Sequence, residues 1–213
     1  MRKPILAAAV SAAALVAACA SMMPEDKSMS FFITSTNPGQ GGNLGGLSGA
    51  DAHCQKLATA AGAGNKTWRA YVSTENPPMN ARDRIGKGPW YNAKGVMIAA
   101  NLDDLHGAGN KIDKANGLNE KGGATNGRGD TPNTHDIMTG STPDGRPVAG
   151  ATCENWTAGS GSSAMVGHFD RSGTNPDPVA NVSWNSSHKT PGCDTASLAR
   201  VGGAGLFYCF AVK

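Results

Sequence analysis

The chain ends in "GLFYCFAVK", residues 205–213, and from Leu206 to Val212 nearly every side chain is apolar. A short unbroken apolar run behind a glycine is the pattern of a buried strand rather than a half-exposed one, which would alternate. The stretch therefore predicts a closing strand within the core, with Cys209 near its middle.

Working outward from Cys209, the other cysteines are Cys19, Cys54, Cys153 and Cys193. Cys19 follows a basic start (Arg2, Lys3) and a small and aliphatic run from Ile5 to Ala18 broken only by Ser11. That is the pattern of an export signal, too short to be a comfortable membrane span. Val16, Ala17 and Ala18 before the cysteine resemble a bacterial lipobox, where a peptidase cuts ahead of a lipid-modified cysteine. The plainer reading is ordinary Ala-x-Ala cleavage beside a chance cysteine. The lipobox reading divides the chain into a signal peptide (1–18), a tether (19–29) and one domain (30–213). With Ala20 rather than Asp after Cys19, it predicts a lipid anchor, in a Gram-negative cell at the outer membrane, on either its periplasmic or its surface face.

Setting Cys19 aside leaves an even number of cysteines in an exported chain, which predicts two disulfides with three pairings open. A cysteine metal site would need paired short spacings such as C-x-x-C, and the sequence has none. The net charge of +3 includes the basic residues of the signal, so the mature domain is near neutral and nucleic acid is not an expected partner. With 29 glycines and 12 prolines, the fold should be rich in turns and loops.

Toward the N-terminus, "SFFITST" (30–36) reads as a strand. In "SGADAHCQKLATAAGAG", Ser48 can cap a helix, Asp51 falls in its first turn, and Ala50, Cys54, Leu57, Ala58 and Ala61 share one face. "KTWRAYVST" (66–74) alternates Trp68, Ala70 and Val72 on one side, a second strand, and "VMIA" (96–99) is a third. More than thirty residues from Asn101 to Asn133 hold little that could build a core, and long loops of this kind are usually functional or mobile. "HDIMTGSTPDGRPV" reads as two short strands about a turn, and "ATCENWTAG" as another. One clear N-terminal helix among many short strands gives an α+β domain.

In that order, "GADAHCQ" (49–55), "WRAYVST" (68–74), "NLDDL" (101–105), "GSTPDGRP" (140–147), "CENW" (153–156) and "YCFAV" (208–212) resemble the endostatin domain of basement-membrane collagens, within the wider C-type-lectin-like fold. The resemblance implies nested disulfides, Cys54 with Cys209 and Cys153 with Cys193, first and last strands side by side, and recognition carried by the long middle loops. It does not carry over a site. Sugar-binding relatives hold calcium through a Trp-Asn-Asp strand, but "SWNSS" (183–187) has Ser186 at the acidic position, so calcium is not expected. Endostatin's zinc uses histidines at its extreme N-terminus, and no histidine precedes Ser30 here.

Candidate ligand contacts are Trp90 with Tyr91 and Asn92, and Trp184 with Asn185 and the nearby His188, since an aromatic ring beside amides is how many lectins hold a sugar. The competing reading is that both tryptophans cover the core beneath the loops. Trp68 and Trp156 lie in strand patterns and are expected to pack. The five histidines never form a local metal motif; a site would have to be assembled across loops, with Asp136 or Asp170 beside a histidine, against the plain reading of surface or hydrogen-bonded residues. There is no G-x-S-x-G elbow and no catalytic residue is identified. The sequence thus predicts an anchored, non-enzymatic, lectin-like module without cofactor that binds a glycan or envelope polysaccharide, or alternatively a protein or structural component of the cell envelope.

Overall fold

The computed structural model describes residues 25–212. The signal peptide, Cys19 and the first part of the tether lie outside them. In chain order the elements are β1 (Phe31–Ile33), α1 (Gly46–Ala60), β2 (Trp68–Ala70), β3 (Thr74–Glu75), β4 (Pro78–Met79), α2 (Ala81–Arg84), β5 (Trp90–Tyr91), β6 (Met97–Ala99) and α3 (Leu102–His106). There follow β7 (Asp136–Met138), α4 (Cys153–Trp156), β8 (Met165–His168), α5 (Pro178–Asn181), β9 (His188–Lys189), α6 (Thr195–Val201) and β10 (Gly203–Ala211). The domain is mixed α+β.

The closing strand organises all of it. One edge of β10 pairs antiparallel with β1, and the other divides between β7, parallel, at its start and β2, antiparallel, at its end. The sheet continues from β7 through β8 to β9. Successive side chains of a strand point to opposite faces, and along β10 they enter two separate cores. Phe207, Cys209 and Ala211 pack with Phe32, Trp68, Met138, Val166 and α1; Leu206, Tyr208 and Phe210 pack with Phe31, Tyr71, Trp90, Ile137 and Trp184. A strand covered on both faces has no polar side to show, which is why its sequence does not alternate.

Two disulfides tie this frame, Cys54–Cys209 from α1 to the closing strand and Cys153–Cys193 from the start of α4 to the loop before α6. Trp68 and Trp156 are buried, as expected, and donate from Nε1 to the carbonyls of Ala63 and Ser73.

Three local expectations are corrected. Helix α1 starts at Gly46 behind a left-handed Gly45 and has no side-chain cap, so Ser48 lies inside it. Asp51 belongs to its second turn and serves an ion pair instead of the dipole: it accepts from Arg84 Nη2 at 2.6 Å, Arg69 Nη1 at 2.7 Å and the Ala70 amide at 2.9 Å. "CENW" is not a strand but a left-handed turn, with φ between 46° and 67° at all four residues. Non-glycine residues in that region cost about 1–2 kcal/mol each. The Cys153 disulfide, the buried Trp156 and the Asn155 side chain, bonded to the Glu75 amide and the Asn76 carbonyl, hold the turn there. "TASLARV", unread in the sequence, is α6, capped by Asp194.

Candidate functional site

The tryptophan pair expected to meet a ligand lies in the core. Trp90 and Tyr91 are buried in β5; the Trp90 ring meets Phe210 edge-on and its Nε1 donates to the Ala211 carbonyl, while the Tyr91 hydroxyl donates to Glu25. Asn92 is turned onto its own loop, accepting from the amides of Lys94 and Val96. Trp184 is 3% exposed and packs between Tyr71 and Tyr208. Asn185 gives its amide hydrogens to the Tyr71 hydroxyl and the carbonyls of Thr142 and Pro143. The loops look polar in sequence because the amides satisfy buried backbone, and the rings beside them fill the second core. Only the edges of Trp184 and Asn185 reach a groove, one also lined by His106, Arg171 and Val179.

His188 has a different setting. The β7–β8 ladder places His168 directly opposite Asp136, and β9 brings His188 alongside β8, opposite Val166. His135, just before β7, stacks on His168 with ring centroids 4.5 Å apart and planes 9° from parallel. Gly202, the left-handed residue that ends α6, makes room for it: a β-carbon there would lie 2.9 Å from His135 Cδ2. Three imidazoles thus surround one carboxylate. His135 Nε2 lies 3.2 Å and His168 Nε2 3.3 Å from Asp136 Oδ1, and His188 Nε2 lies 3.3 Å from Oδ2.

Asp136 is fully buried, and no N–H or O–H is aligned to donate to either of its oxygens. A carboxylate buried in that condition is costly. The outer side of each ring explains the misfit. His135 Nδ1 faces Asp170 Oδ1 at 3.2 Å, His168 Nδ1 faces the Asn181 carbonyl at 2.8 Å, and His188 Nδ1 faces the Lys189 carbonyl at 3.3 Å. A carbonyl only accepts, and so does an ionised carboxylate, so the proton of each neutral imidazole sits on Nδ1 and a lone pair remains on Nε2. Burial would raise the Asp170 carboxyl, but the hydrogen bonds from His135 and the Arg128 amide outweigh it and hold the group below the usual carboxylate range. Burial pushes His168 down, whereas the Asp136 carboxylate beside it raises His188. What the two stacked rings, His135 and His168, turn toward Asp136 Oδ1 is therefore a pair of lone pairs, while His188, whose proton the carboxylate helps to hold, stands at Oδ2. Charging all three rings would stack one imidazolium on another in the interior, where like charges disfavour each other.

The cluster forms part of the wall of a cleft of about 520 Å³, otherwise lined mainly by Arg128, Asn133, Asn175, Pro176 and Arg200. Arg128 reaches across to the Gly173 carbonyl, and Arg200 has no ion pair among the described residues. No protein-family model and no curated protein matches the chain. Of the residues singled out in the sequence, the fold thus brings together His135, His168 and His188 with Asp136 and Asp170. Trp90, Tyr91 and Asn92 are buried and do not line the cleft.

Proposed function

We propose that the chain is an exported, lipid-anchored binding module of endostatin-like, C-type-lectin-like fold, which holds an acidic glycan or envelope polysaccharide without catalysis. The paired first and last strands and the nested disulfides support the lectin-like reading of this α+β domain. The observation that carries the ligand class is the cleft: its size is that of a small-ligand site, and the side chains of Asn133 and Asn175 and two guanidinium groups stand at it. Guanidinium pairs well with carboxylate or phosphate. The sugar contact thus moves from the loop tryptophans to Arg128, Asn175, His188 and Arg200. A glycan array of the purified full chain should retain acidic rather than neutral sugars, and Arg200→Ala should remove most of the signal. No retained glycan, or retention unchanged by Arg200→Ala, overturns the reading.

An envelope protein is the second reading, favoured by Val179 and Val182, which are 71% and 43% exposed beside the Trp184 groove. Pull-down from outer membranes that free acidic sugars do not compete, and that Val179→Asp abolishes, would select it. The lipid anchor is tested separately: mass spectrometry of the mature protein should find a lipidated Cys19 as its first residue, and Cys19→Ser should release the chain from membranes.

A further inference from the structure

We infer that His135, Asp136 and His168 form a binding site for a divalent transition-metal ion of the zinc class, with a fourth coordination position facing the cleft. The inference is independent of the sugar reading, since an ion can bind here whether or not the cleft holds a glycan.

Three observations carry it. The first is the donor set. One ligand atom from each of these residues lies within 4.8 Å of the others, and all three residues are buried. Two imidazole nitrogens and a carboxylate oxygen suit zinc and its first-row neighbours, whereas calcium and magnesium want oxygen alone.

The second is spacing. Ligands about 2.0–2.1 Å from a tetrahedral zinc stand roughly 3.3 Å from one another. The two Nε2–Oδ1 separations are 3.2 and 3.3 Å. These are too poorly aligned to be hydrogen bonds and match two edges of such a tetrahedron.

The third is the outer shell. A metal-bound histidine usually donates its other ring nitrogen to a carboxylate or carbonyl, which fixes the ring and the tautomer. His135 has Asp170 in that place and His168 has the Asn181 carbonyl. Asp170 is itself held by the amides of Arg128, at 2.6 Å, and Ser172, at 3.2 Å. His188, 28% exposed on its side chain and set against Oδ2, is a positioning residue that steadies the carboxylate from the cleft side.

The ion resolves the misfit at Asp136. A single cation accepts electron pairs from both rings and the carboxylate at once, without charging either of the two stacked imidazoles. It also neutralises a buried charge that otherwise lacks a donor.

The test is metal binding by the purified, untagged full chain, stripped with chelator and titrated with Zn²⁺ by calorimetry, with bound metal counted after dialysis. One Zn²⁺ per chain is expected, with no comparable uptake of Ca²⁺ or Mg²⁺. His168→Ala and Asp136→Asn should abolish the stoichiometric site. Asp170→Asn and His188→Ala should weaken it by about 10–100-fold while keeping the stoichiometry, the usual effect of an outer-shell change. Because Asp136→Asn can disturb the sheet, each variant is checked by circular dichroism, and the folded Asp170→Asn chain decides if the other fails to fold. Cobalt substitution gives an independent readout, since a tetrahedral ion has visible absorption that a loosely bound hydrated one lacks. No saturable zinc binding by the wild-type chain, or binding that survives His168→Ala in a folded protein, overturns the inference.

Discussion

Gly173 lies so close to His168 that a β-carbon at position 173 would stand 2.3 Å from Cε1 and 2.5 Å from Nδ1 of the ring. The loop after β8 thus folds back over the imidazole and pins its outer nitrogen against the Asn181 carbonyl. Alanine at 173 must push the ring or the loop aside. Gly173→Ala should cost about 1–3 kcal/mol, the usual range for overpacking. It should also shift the His168 ring resonances in an NMR spectrum while leaving those of His53 unchanged. An unshifted His168 would mean that the loop, not the ring, yields.

The ion pair under α1 gives a second prediction. Arg84 and Asp51 are 8% and 11% exposed on their side chains, and Asp51 also accepts from Arg69 and the Ala70 amide. Removing one member of a buried pair strands the other, at about 3–5 kcal/mol. Asp51→Ala should therefore lower the urea midpoint sharply. The double change Asp51→Leu with Arg84→Met should recover much of the loss, because apolar replacement of a buried pair is often close to neutral. A double variant as unstable as the single one would assign the cost to the Ala70 amide instead.

How far the sequence could be read depended on whether the signal was local. The closing strand is an unbroken apolar run, and the helix face carrying Cys54 and the alternation of Trp68 and Ala70 are periodic patterns; each of these local signals lies where it was read. The turn at 142–146 likewise follows from its proline, aspartate and glycine, with Gly145 donating to the Thr142 carbonyl. The left-handed "CENW" turn was illegible because no propensity favours four such residues; distant partners, Cys193 and Asn76, impose it. The imidazole cluster was half-legible. Its members come from three separate segments that only the β7–β8–β9 order brings together, and the one trace in the sequence is an aspartate next to or two after a histidine, at Asp136 and Asp170. Trp90 and Trp184 misled because side-chain amides beside an aromatic ring serve buried carbonyls as readily as sugar hydroxyls.

The two disulfides differ in the length of chain they close, with sequence separations of 155 and 40. Loop-closure entropy assigns about 5 kcal/mol to the longer and about 4 kcal/mol to the shorter, before unfolded-state structure reduces both. Paired serine replacement at Cys54 and Cys209 should therefore lower stability more than at Cys153 and Cys193, as read by urea denaturation. The shorter link should have a local signature of its own. It anchors the left-handed turn, so its removal should expose the amides of Asn155 and Trp156 to hydrogen exchange well before the sheet opens. Uniform exchange across the domain would show that Trp156 and the Asn155 side chain hold the turn without the disulfide.

Acid should weaken the second core through His106. Its Nε2 meets the Tyr71 hydroxyl at 2.8 Å, its Nδ1 faces the Leu102 carbonyl at 2.8 Å, and its ring lies against Trp184. Burial holds it below the ordinary histidine value of 6.5; the Leu102 carbonyl opposes this, and among the nearby charges Arg82 lowers it while Asp144 and Asp103 raise it. In the folded chain the ring therefore takes up its proton at lower pH than in the unfolded chain. Between those two values the unfolded state holds more protons, so stability rises with pH there and is lost as pH falls from about 6.5 through the folded value. His53 and His168, both lowered by burial, act in the same direction, and His188, which is raised, opposes them. Replacing His106 with asparagine removes one titrating group without charging the core. Urea midpoints measured from pH 7.5 downward should fall for the wild-type chain and fall less steeply for His106→Asn. Equal slopes in the two proteins would place the acid sensitivity in the other histidines.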